Sequence, residues 1–288
     1  MKLSYFTESK DNNFNLIRVL AALGVLVTHS FALAIGSDDA EPLRISPRLD
    51  IGHFMVDIFF MTSGFLVTAS LLRRQNTIEF LWARALRIYP ALLVMQFLVV
   101  FGIGLFLTAI PWTSYLVSHQ TLMYLVKNAV LIVDLVPDLP GVFQGNPHSH
   151  TVNTPLWTLP YEIGMYAILA SLWTVLCLVL GVGSRVFKIA IVGCASVVVW
   201  LLVLCPVCTA HDVNLPRLFG MFFLGAASYV LKDYIVLSGP VFWSLMVIVP
   251  SSFFLGEPVL FAAYVHPLSR AHSRAYRLDL RHSIRQAG

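Results

Sequence analysis

Residues 16–36, LIRVLAALGVLVTHSFALAIG, form an apolar run that carries the ionisable residues Arg18 and His29. A hydrocarbon core of about 30 Å needs roughly 20 apolar residues for one helical crossing, and this run has that length. Residues 1–15 are polar and no small-residue cleavage site follows the run, so we expect a retained membrane-spanning helix. An imidazole inside a span is costly, so His29 either has a function or is merely hydrogen-bonded between helices.

The composition of the whole chain points to lipid as its solvent. Of 288 residues, 58% are hydrophobic and only 12% are charged, and the mean hydropathy is +0.78. Ordinary soluble domains are about 25% charged. We therefore predict an all-α protein, a polytopic transmembrane helical bundle of about seven helices. Besides 16–36, the predicted spans are 52–72, 86–110, 155–180, 187–205, 216–231 and 239–255.

The distribution of positive charge predicts the orientation of this bundle. With a cytoplasmic N-terminus, most Lys and Arg residues fall on the cytoplasmic side, as the positive-inside bias requires. This orientation suits a multi-pass membrane protein and leaves residues 111–154 outside as one excursion. Its apolar part, YLVKNAVLIVDLV (124–136), is short for a span and is expected to be an interfacial or re-entrant helix. The outer side receives Arg44, Arg48, Lys127 and Arg217.

Three ionisable residues on three predicted spans share one depth when they are counted from the outer helix ends. His29 lies about 10 Å below the outer end of its helix. Asp57 and Glu162 come at similar distances into the spans that begin near 52 and 155. Intramembrane ionisable groups usually face the bundle interior and pair with one another. We predict a cluster in which His29 takes a proton from a hydroxyl while a carboxylate orients the ring.

A second set of ionisable residues lies nearer the cytoplasmic side. Arg18 precedes His29 by about three helical turns, so both lie on one helix face, about 16 Å apart. Arg84 and Arg87 are three residues apart and also share a face. Paired guanidinium groups bind phosphate through bidentate contacts, whereas plain positive-inside anchoring explains them equally well. Both interpretations of the arginine pair stay open.

Other motifs in the sequence carry less weight. Cys205 and Cys208 have the spacing of a redox or zinc motif, but no second pair accompanies them, so apolar filling is favoured. His148 and His150 lack a nearby carboxylate or thiol, which disfavours a metal site. Phosphate-binding loops and nucleophile-elbow motifs are absent from the sequence. We therefore expect no metal and no nucleic-acid partner.

Four stretches of the chain, in order, resemble the acyltransferase family three of integral membrane proteins. That family acylates sugars of surface polysaccharides, lipopolysaccharide and Nod factors. Weaker similarity continues through PRLFGMFFLGAASY. The four stretches are FNLIRVLAALGVLVTHS (14–30), MVDIFFMTSGFLVTASLLRR (55–74), FLWARALRIYPALL (80–93) and LPGVFQGNPHSHTVNTPLWTLPYE (139–162).

The resemblance implies a cytoplasmic acyl-CoA donor, usually acetyl-CoA, and a carbohydrate hydroxyl as acceptor at the outer side of the membrane. It implies that His29 is essential, that Arg18 is the arginine of the first-helix signature, and that Arg84 and Arg87 hold the CoA phosphates. Glu162 matches an acidic position whose role stays open.

The Ser63-Gly64 element of the second stretch has its own interpretation. From the residues alone, it indicates a glycine at a close approach of two helices and a hydroxyl hydrogen bond between helices.

The chain departs from the family in length and at its end. The family commonly has ten or so helices, and after EPVLFAAYVHP the composition changes to an arginine-rich tail. We expect residues 1–255 to be an incomplete membrane acyltransferase domain and 256–288 to be an atypical basic tail from a truncation or frameshift. The leading hypothesis is a membrane O-acyltransferase in which His29 serves as general base or as transient acyl acceptor, helped by Asp57 or Glu162. The alternatives are a transporter or flippase of a lipid-linked or anionic solute, and a non-catalytic remnant.

Overall fold

The computed structural model of the protein describes residues 2–8, 13–37, 41, 50–131, 135–147, 151–204, 214–236, 238 and 240. The chain divides into two units, one of residues 2–235 and one of residue 1 with residues 236–288. Nearly all described residues belong to the first unit. Several predictions fall outside the described residues: the last span apart from residue 240, the tail 256–288, the cysteine pair 205–208 and the histidines at 148 and 150.

The first unit is built from helices joined by short turns and one longer excursion. Two of the long helices continue as π-helix, over Leu98–Gly104 and Thr174–Val179. A 3₁₀ turn at Thr154–Trp157 precedes the second of these two helices. The helices are α1 (Leu3–Glu8), α2 (Phe14–Ile35), α3 (Ile51–Arg74), α4 (Thr77–Phe97), α5 (Leu105–Leu107), α6 (Trp112–Val117), α7 (His119–Val130), α8 (Thr158–Trp173), α9 (Gly183–Leu204) and α10 (Asn214–Val230).

Among the described residues, four helical stretches are long and apolar enough to cross a membrane. They are Phe14–Ile35, Ile51–Arg74, Thr77–Leu107 and Thr154–Val179. They correspond to the first four predicted spans, while α9 and α10 cover the next two predicted segments as helices. The predicted all-helical fold is therefore confirmed, and the excursion does contain a short helix, α7, ahead of residue 131.

The start of α4 differs from the prediction, which placed it at residue 86. The helix begins at Thr77, because the Asn76 side chain accepts hydrogen bonds from the backbone N–H groups of Ile78 and Glu79, at 3.0 and 3.2 Å. The apolar count missed this first part because Glu79 and Arg84 interrupt its apolar residues. As a result, residues 84 and 87 lie well inside a helix rather than at its start.

Helices α2 and α3 pack antiparallel, and glycine contacts define how they are aligned. The rings of Phe14 and Phe65 lie 5.0 Å apart near one end of the pair. Near the other end, a Cβ on Gly52 would lie 2.8 Å from Cγ2 of Thr28. The two helices are therefore staggered: the C-terminal turns of α2 extend past the first residue of α3.

Helices α3 and α10 touch backbone to backbone. A Cβ on Gly64 would overlap the carbonyl oxygen of Phe222, and a Cβ on Gly225 would overlap the carbonyl oxygen of Met61. Small residues permit this close approach, in which van der Waals contact replaces the missing hydrophobic drive between helices in lipid. The close-approach role predicted for Gly64 is confirmed.

Among the buried clusters of the described residues, a larger one surrounds these contacts and a smaller one lies in the excursion. The larger one fills the space between α3, α8, α9 and α10 and includes Phe60, Leu169, Phe187 and Phe222. The smaller cluster holds the excursion together. It consists of Val99, Val100, Tyr115, Tyr124, Leu139 and Val142.

The smaller cluster is tied by specific hydrogen bonds. The Tyr115 hydroxyl donates to the carbonyl of Val100 at 3.0 Å, and Asn128 exchanges two hydrogen bonds with the backbone of Val136. Burial raises the pKa values of Tyr115 and Tyr124 to about 12, so both phenols stay neutral at physiological pH. The excursion is therefore a folded element with its own core.

Candidate functional site

The positions of polar groups along the bundle are described relative to its two ends, and each end takes the name of a residue that caps a helix there. The Asp50 end is the end at which α3 begins, and the Asn76 end is the end at which α3 finishes and α4 begins. Because α4 and its continuation run from Thr77 to Leu107, that span connects the Asn76 end to the Asp50 end.

Glu162 is the most deeply buried carboxylate of the spans. Its side chain accepts a hydrogen bond from the Ser63 hydroxyl at 3.3 Å and another from the hydroxyl of Tyr166. The three residues are 5%, 1% and 3% exposed, so the carboxylate has no access to bulk water. The hydroxyl bond between helices that the sequence predicted for Ser63 is confirmed, and its acceptor is Glu162.

The arginine pair of α4 lies beside this carboxylate. Arg87 and Arg84 both interact electrostatically with Glu162. The Nε of Arg84 is buried and, among the described residues, has no hydrogen-bond partner, while Arg87 is exposed. Neither guanidinium group forms an ion pair with the Glu162 carboxylate within 4.0 Å. Two cations near one carboxylate leave an excess positive charge and free N–H donors, which is the composition that an anion site requires.

Arg18 belongs to the same level of the bundle. Its guanidinium carbon lies 4.7 Å from the centre of the Phe59 ring, a cation–π contact with α3. The pairing of Phe14 with Phe65 places the first turns of α2 beside the part of α3 that carries Ser63. Arg18 thus lies within about one helical turn of the level of Ser63 and Glu162, near the middle of α3.

Asp57 pairs with Arg217, a residue that the sequence indicated only as one of the positive charges on the outer side. Its Oδ1 lies 3.0 Å from Nε of Arg217 on α10, and the two side chains are 19% and 15% exposed. The available signal was an arginine inside the apolar segment LPRLFGMFFLG, since such a residue pairs with a carboxylate at its own depth. Asp57 is therefore already neutralised within the bundle.

The predicted common level of His29, Asp57 and Glu162 is wrong. Thr28 lies against Gly52, so His29 is level with the first turn of α3. Counted along α3 at 1.5 Å per residue, Asp57 lies about 8 Å and Ser63, with its partner Glu162, about 16 Å nearer the Asn76 end. The prediction counted depth from helix ends as if they lay in one plane, whereas α2 extends beyond α3.

Other carboxylates lie at the level of His29. Glu41 is buried and accepts hydrogen bonds from the Thr28 hydroxyl at 3.3 Å and from the Ile51 backbone N–H at 2.9 Å. Asp50 caps α3 by accepting from the backbone N–H of His53, and its other oxygen lies 2.6 Å from Nδ1 of the same histidine. An acidic residue directly before an apolar run is a recognisable capping signal, so Asp50 was predictable as a cap.

The geometry defines a multi-pass helical membrane protein with an arginine pair toward one end and a histidine toward the other. Residues 11–279 match the family described as an acyltransferase domain, and the chain therefore belongs to that family. This confirms the resemblance drawn from the four stretches of sequence.

Two curated relatives carry names that describe their roles. The chain is 32% identical over 163 residues to the O-acetyl transferase of Shigella phage Sf6, which covers 55% of this chain and 45% of that protein. It is 32% identical over 171 residues to nodulation protein 10 of Rhizobium leguminosarum bv. viciae, covering 56% of this chain and 44% of that protein. The matched part thus spans less than half the length of these relatives. No solved structure matches the chain.

Proposed function

We propose that the protein is a membrane O-acyltransferase that moves an acyl group, most simply acetyl, from cytoplasmic acyl-CoA to a carbohydrate hydroxyl at the outer side of a bacterial inner membrane. The observation that carries this proposal is the pair Arg84 and Arg87 beside the buried Glu162, which leaves positive charge for a phosphate-bearing donor. Membership of the acyltransferase family and the name of the phage relative support the reaction type.

The donor enters from the Asn76 end in this proposal. Arg84 and Arg87 hold its phosphates, with Arg18 at the same level. Glu162 is held by Ser63 and Tyr166 and attracts both arginines electrostatically. A thioester tethered there has to project about 16 Å along the bundle to reach the level of His29, a distance that the extended pantetheine arm of CoA spans.

The reaction takes place at His29. The neutral imidazole accepts the proton of the acceptor hydroxyl as its oxygen attacks the thioester carbon. The carbon–sulfur bond then breaks, the imidazolium returns the proton to the departing thiolate, and the products are an O-acyl sugar and CoA. Asp57 and Glu162 are not required as the carboxylate partner of the ring, because their axial distances from it are about 8 and 16 Å.

Two substitutions separate donor binding from chemistry. His29→Gln keeps the size and hydrogen-bonding capacity of the side chain but removes the base, so we expect kcat to fall by about 100-fold or more. Arg87→Gln removes a charged contact to the donor, so we expect the KM for acetyl-CoA to rise about tenfold with a smaller change in kcat. The measurement is transfer of radiolabelled acetyl from acetyl-CoA to extracted surface polysaccharide by membranes that contain the full chain.

The control is Lys127→Gln, which removes an exposed positive charge from α7 and should leave both constants unchanged. A transporter without chemistry would tolerate His29→Gln. Full transfer by that variant at normal expression, or no transfer by the wild-type chain, would therefore contradict the proposal.

A further inference from the structure

A cleft with a volume of about 360 Å³ opens where the span Thr77–Leu107 meets the excursion. One wall is formed by Leu107 and Ala109, and the other by residues 141 and 143–146 of the loop that returns toward α8. In the sequence, this loop is recognisable only as part of the fourth family stretch, residues 139–162. The volume lies within the range of small-ligand sites, about 300–1,000 Å³.

The chemistry of the lining indicates the class of ligand. No charged side chain lines the cleft within the described part of the chain, which argues against a phosphate or carboxylate ligand. The Phe143 side chain is partly buried and packs against the smaller cluster, and the amide side chains of Gln144 and Asn146 are exposed. An aromatic face beside amides that both donate and accept hydrogen bonds suits a neutral ligand with one apolar C–H face and many hydroxyls. A sugar ring has both properties.

The loop holds these groups in a fixed arrangement. Phe143 has a φ of 56°, in the left-handed region that bulky residues rarely adopt. The turn before it requires glycine: Gly141 has a φ of 73°, and a Cβ there would lie 2.7 Å from Oγ1 of Thr108. Thr108 also donates to the carbonyl of Pro140 at 2.7 Å, and the Ala109 N–H donates to Gly141 at 2.9 Å. Strain that the surroundings enforce in this way is a feature of ligand sites.

The cleft lies at the end of the bundle where the proposed acceptor would arrive. Along the span that begins at Thr77, about 30 Å separates Arg87 from Leu107 at the cleft. The residue after Asn146, Pro147, packs against the end of α2: a Cβ on Gly36 would lie 2.9 Å from its carbonyl oxygen. His29 is in the same helix, about 10 Å below Gly36 along the axis.

We infer that this cleft is the subsite that binds a sugar unit of the acceptor, with Phe143 stacking on the ring and Gln144 and Asn146 bonding its hydroxyls. The inference rests on the proposed function, since it names where the carbohydrate of that reaction docks. It does not depend on which base or donor group performs the transfer.

The test is the acceptor dependence of transfer by the full chain in membranes. The acceptor is surface polysaccharide extracted from cells that lack the gene, and the donor is radiolabelled acetyl-CoA. For the double variant Gln144→Ala/Asn146→Ala we expect the KM for polysaccharide to rise about tenfold, with kcat and the KM for acetyl-CoA unchanged. Phe143→Leu should raise the same KM while Phe143→Tyr, which keeps the ring, should not.

The matched control is Gln120→Ala, which removes an exposed amide of the same excursion outside the cleft. An unchanged KM for polysaccharide in the double variant overturns the inference. If the wild-type chain transfers no acetyl, the proposed function fails, and the cleft is tested by binding of tritiated polysaccharide to the membranes instead. Weaker binding by the double variant then supports the subsite, and equal binding overturns it.

Discussion

Glu162 illustrates how a buried carboxylate acquires its role from its neighbours. Depths counted from the helix ends in the sequence place Glu162 level with the imidazole of His29. In the structure it accepts hydrogen bonds from Ser63 and Tyr166 and interacts with Arg84 and Arg87. A carboxylate without access to water needs such donors and cations, since an uncompensated buried charge is very costly. The catalytic roles given to His29, Asp57 and Glu162 stay predictions, but the structure groups Glu162 with the arginines.

The ion pair between Asp57 and Arg217 leads to a prediction about stability. Asp57→Asn or Arg217→Gln alone leaves one charge unpaired in a largely apolar setting, so each should lower the free energy of unfolding by about 2 kcal/mol or more. The double variant removes both charges and should cost clearly less than the sum of the two single effects. The measurement is denaturant unfolding of the detergent-solubilised protein, followed by circular dichroism.

A second ion pair serves as the control for this comparison of single and double variants, which is a double-mutant cycle. Arg74 and Glu79 lie 3.8 Å apart with side chains that are 44% and 60% exposed. Exposed pairs contribute little, so the corresponding cycle of Arg74→Gln and Glu79→Gln should show near-zero coupling. Additive effects at Asp57 and Arg217 would show that this contact is not a stabilising pair.

At the scale of elements, the packing of α3 on α10 depends on the absence of two side chains. Gly64→Ala would force a methyl group against the carbonyl of Phe222, and backbone there has no room to shift without moving both helices. We expect a loss of about 3 kcal/mol or more, at the upper end of overpacking effects. The thermal midpoint of the detergent-solubilised protein measures it.

The matched control is Gly193→Ala in α9, where an added Cβ meets nothing within 4 Å. There the substitution should be neutral or slightly stabilising, because alanine favours helix more than glycine does. Equal midpoints for the two variants would mean that α3 and α10 do not touch through Gly64.

The elements themselves were largely predictable. Apolar runs of sufficient length located the four long helices, because each crossing requires a minimum number of apolar residues. The start of α4 was missed, since the charged residues Glu79 and Arg84 interrupt the apolar residues that follow the capping residue Asn76. The end of α7 at Leu131, which adopts φ 57°, was likewise not visible as a pattern of hydropathy.

At the scale of the whole molecule, the span from Thr77 to Leu107 separates two sets of exposed residues. Gln75 lies in the turn between α3 and α4, and Gln120 lies in the excursion. In a background whose native cysteines are replaced by serine, Gln75→Cys and Gln120→Cys should react from opposite sides of the membrane. The positive-inside bias of Arg73 and Arg74 predicts that Gln75 is cytoplasmic.

The measurement is labelling by a membrane-impermeant maleimide before and after lysis of cells. Gln120→Cys should be labelled in intact cells with a permeable outer membrane, and Gln75→Cys only after lysis. The two glutamines serve as controls for each other because both are exposed. Labelling of both from the same side would contradict the crossing by α4 and the proposed transfer across the bundle.

The sequence by itself determined that the protein is an all-helical membrane bundle, where its long helices lie, and which residue types carry its chemistry, because the bilayer imposes length and hydropathy on every span. Only the tertiary structure decided which of those residues meet. The stagger of α2 on α3 separates His29 from Glu162. The close packing of α3 on α10 brings Asp57 and Arg217 together as an ion pair. Helix stagger and rotation depend on side-chain packing between distant segments, and a pattern of hydropathy contains no information about either.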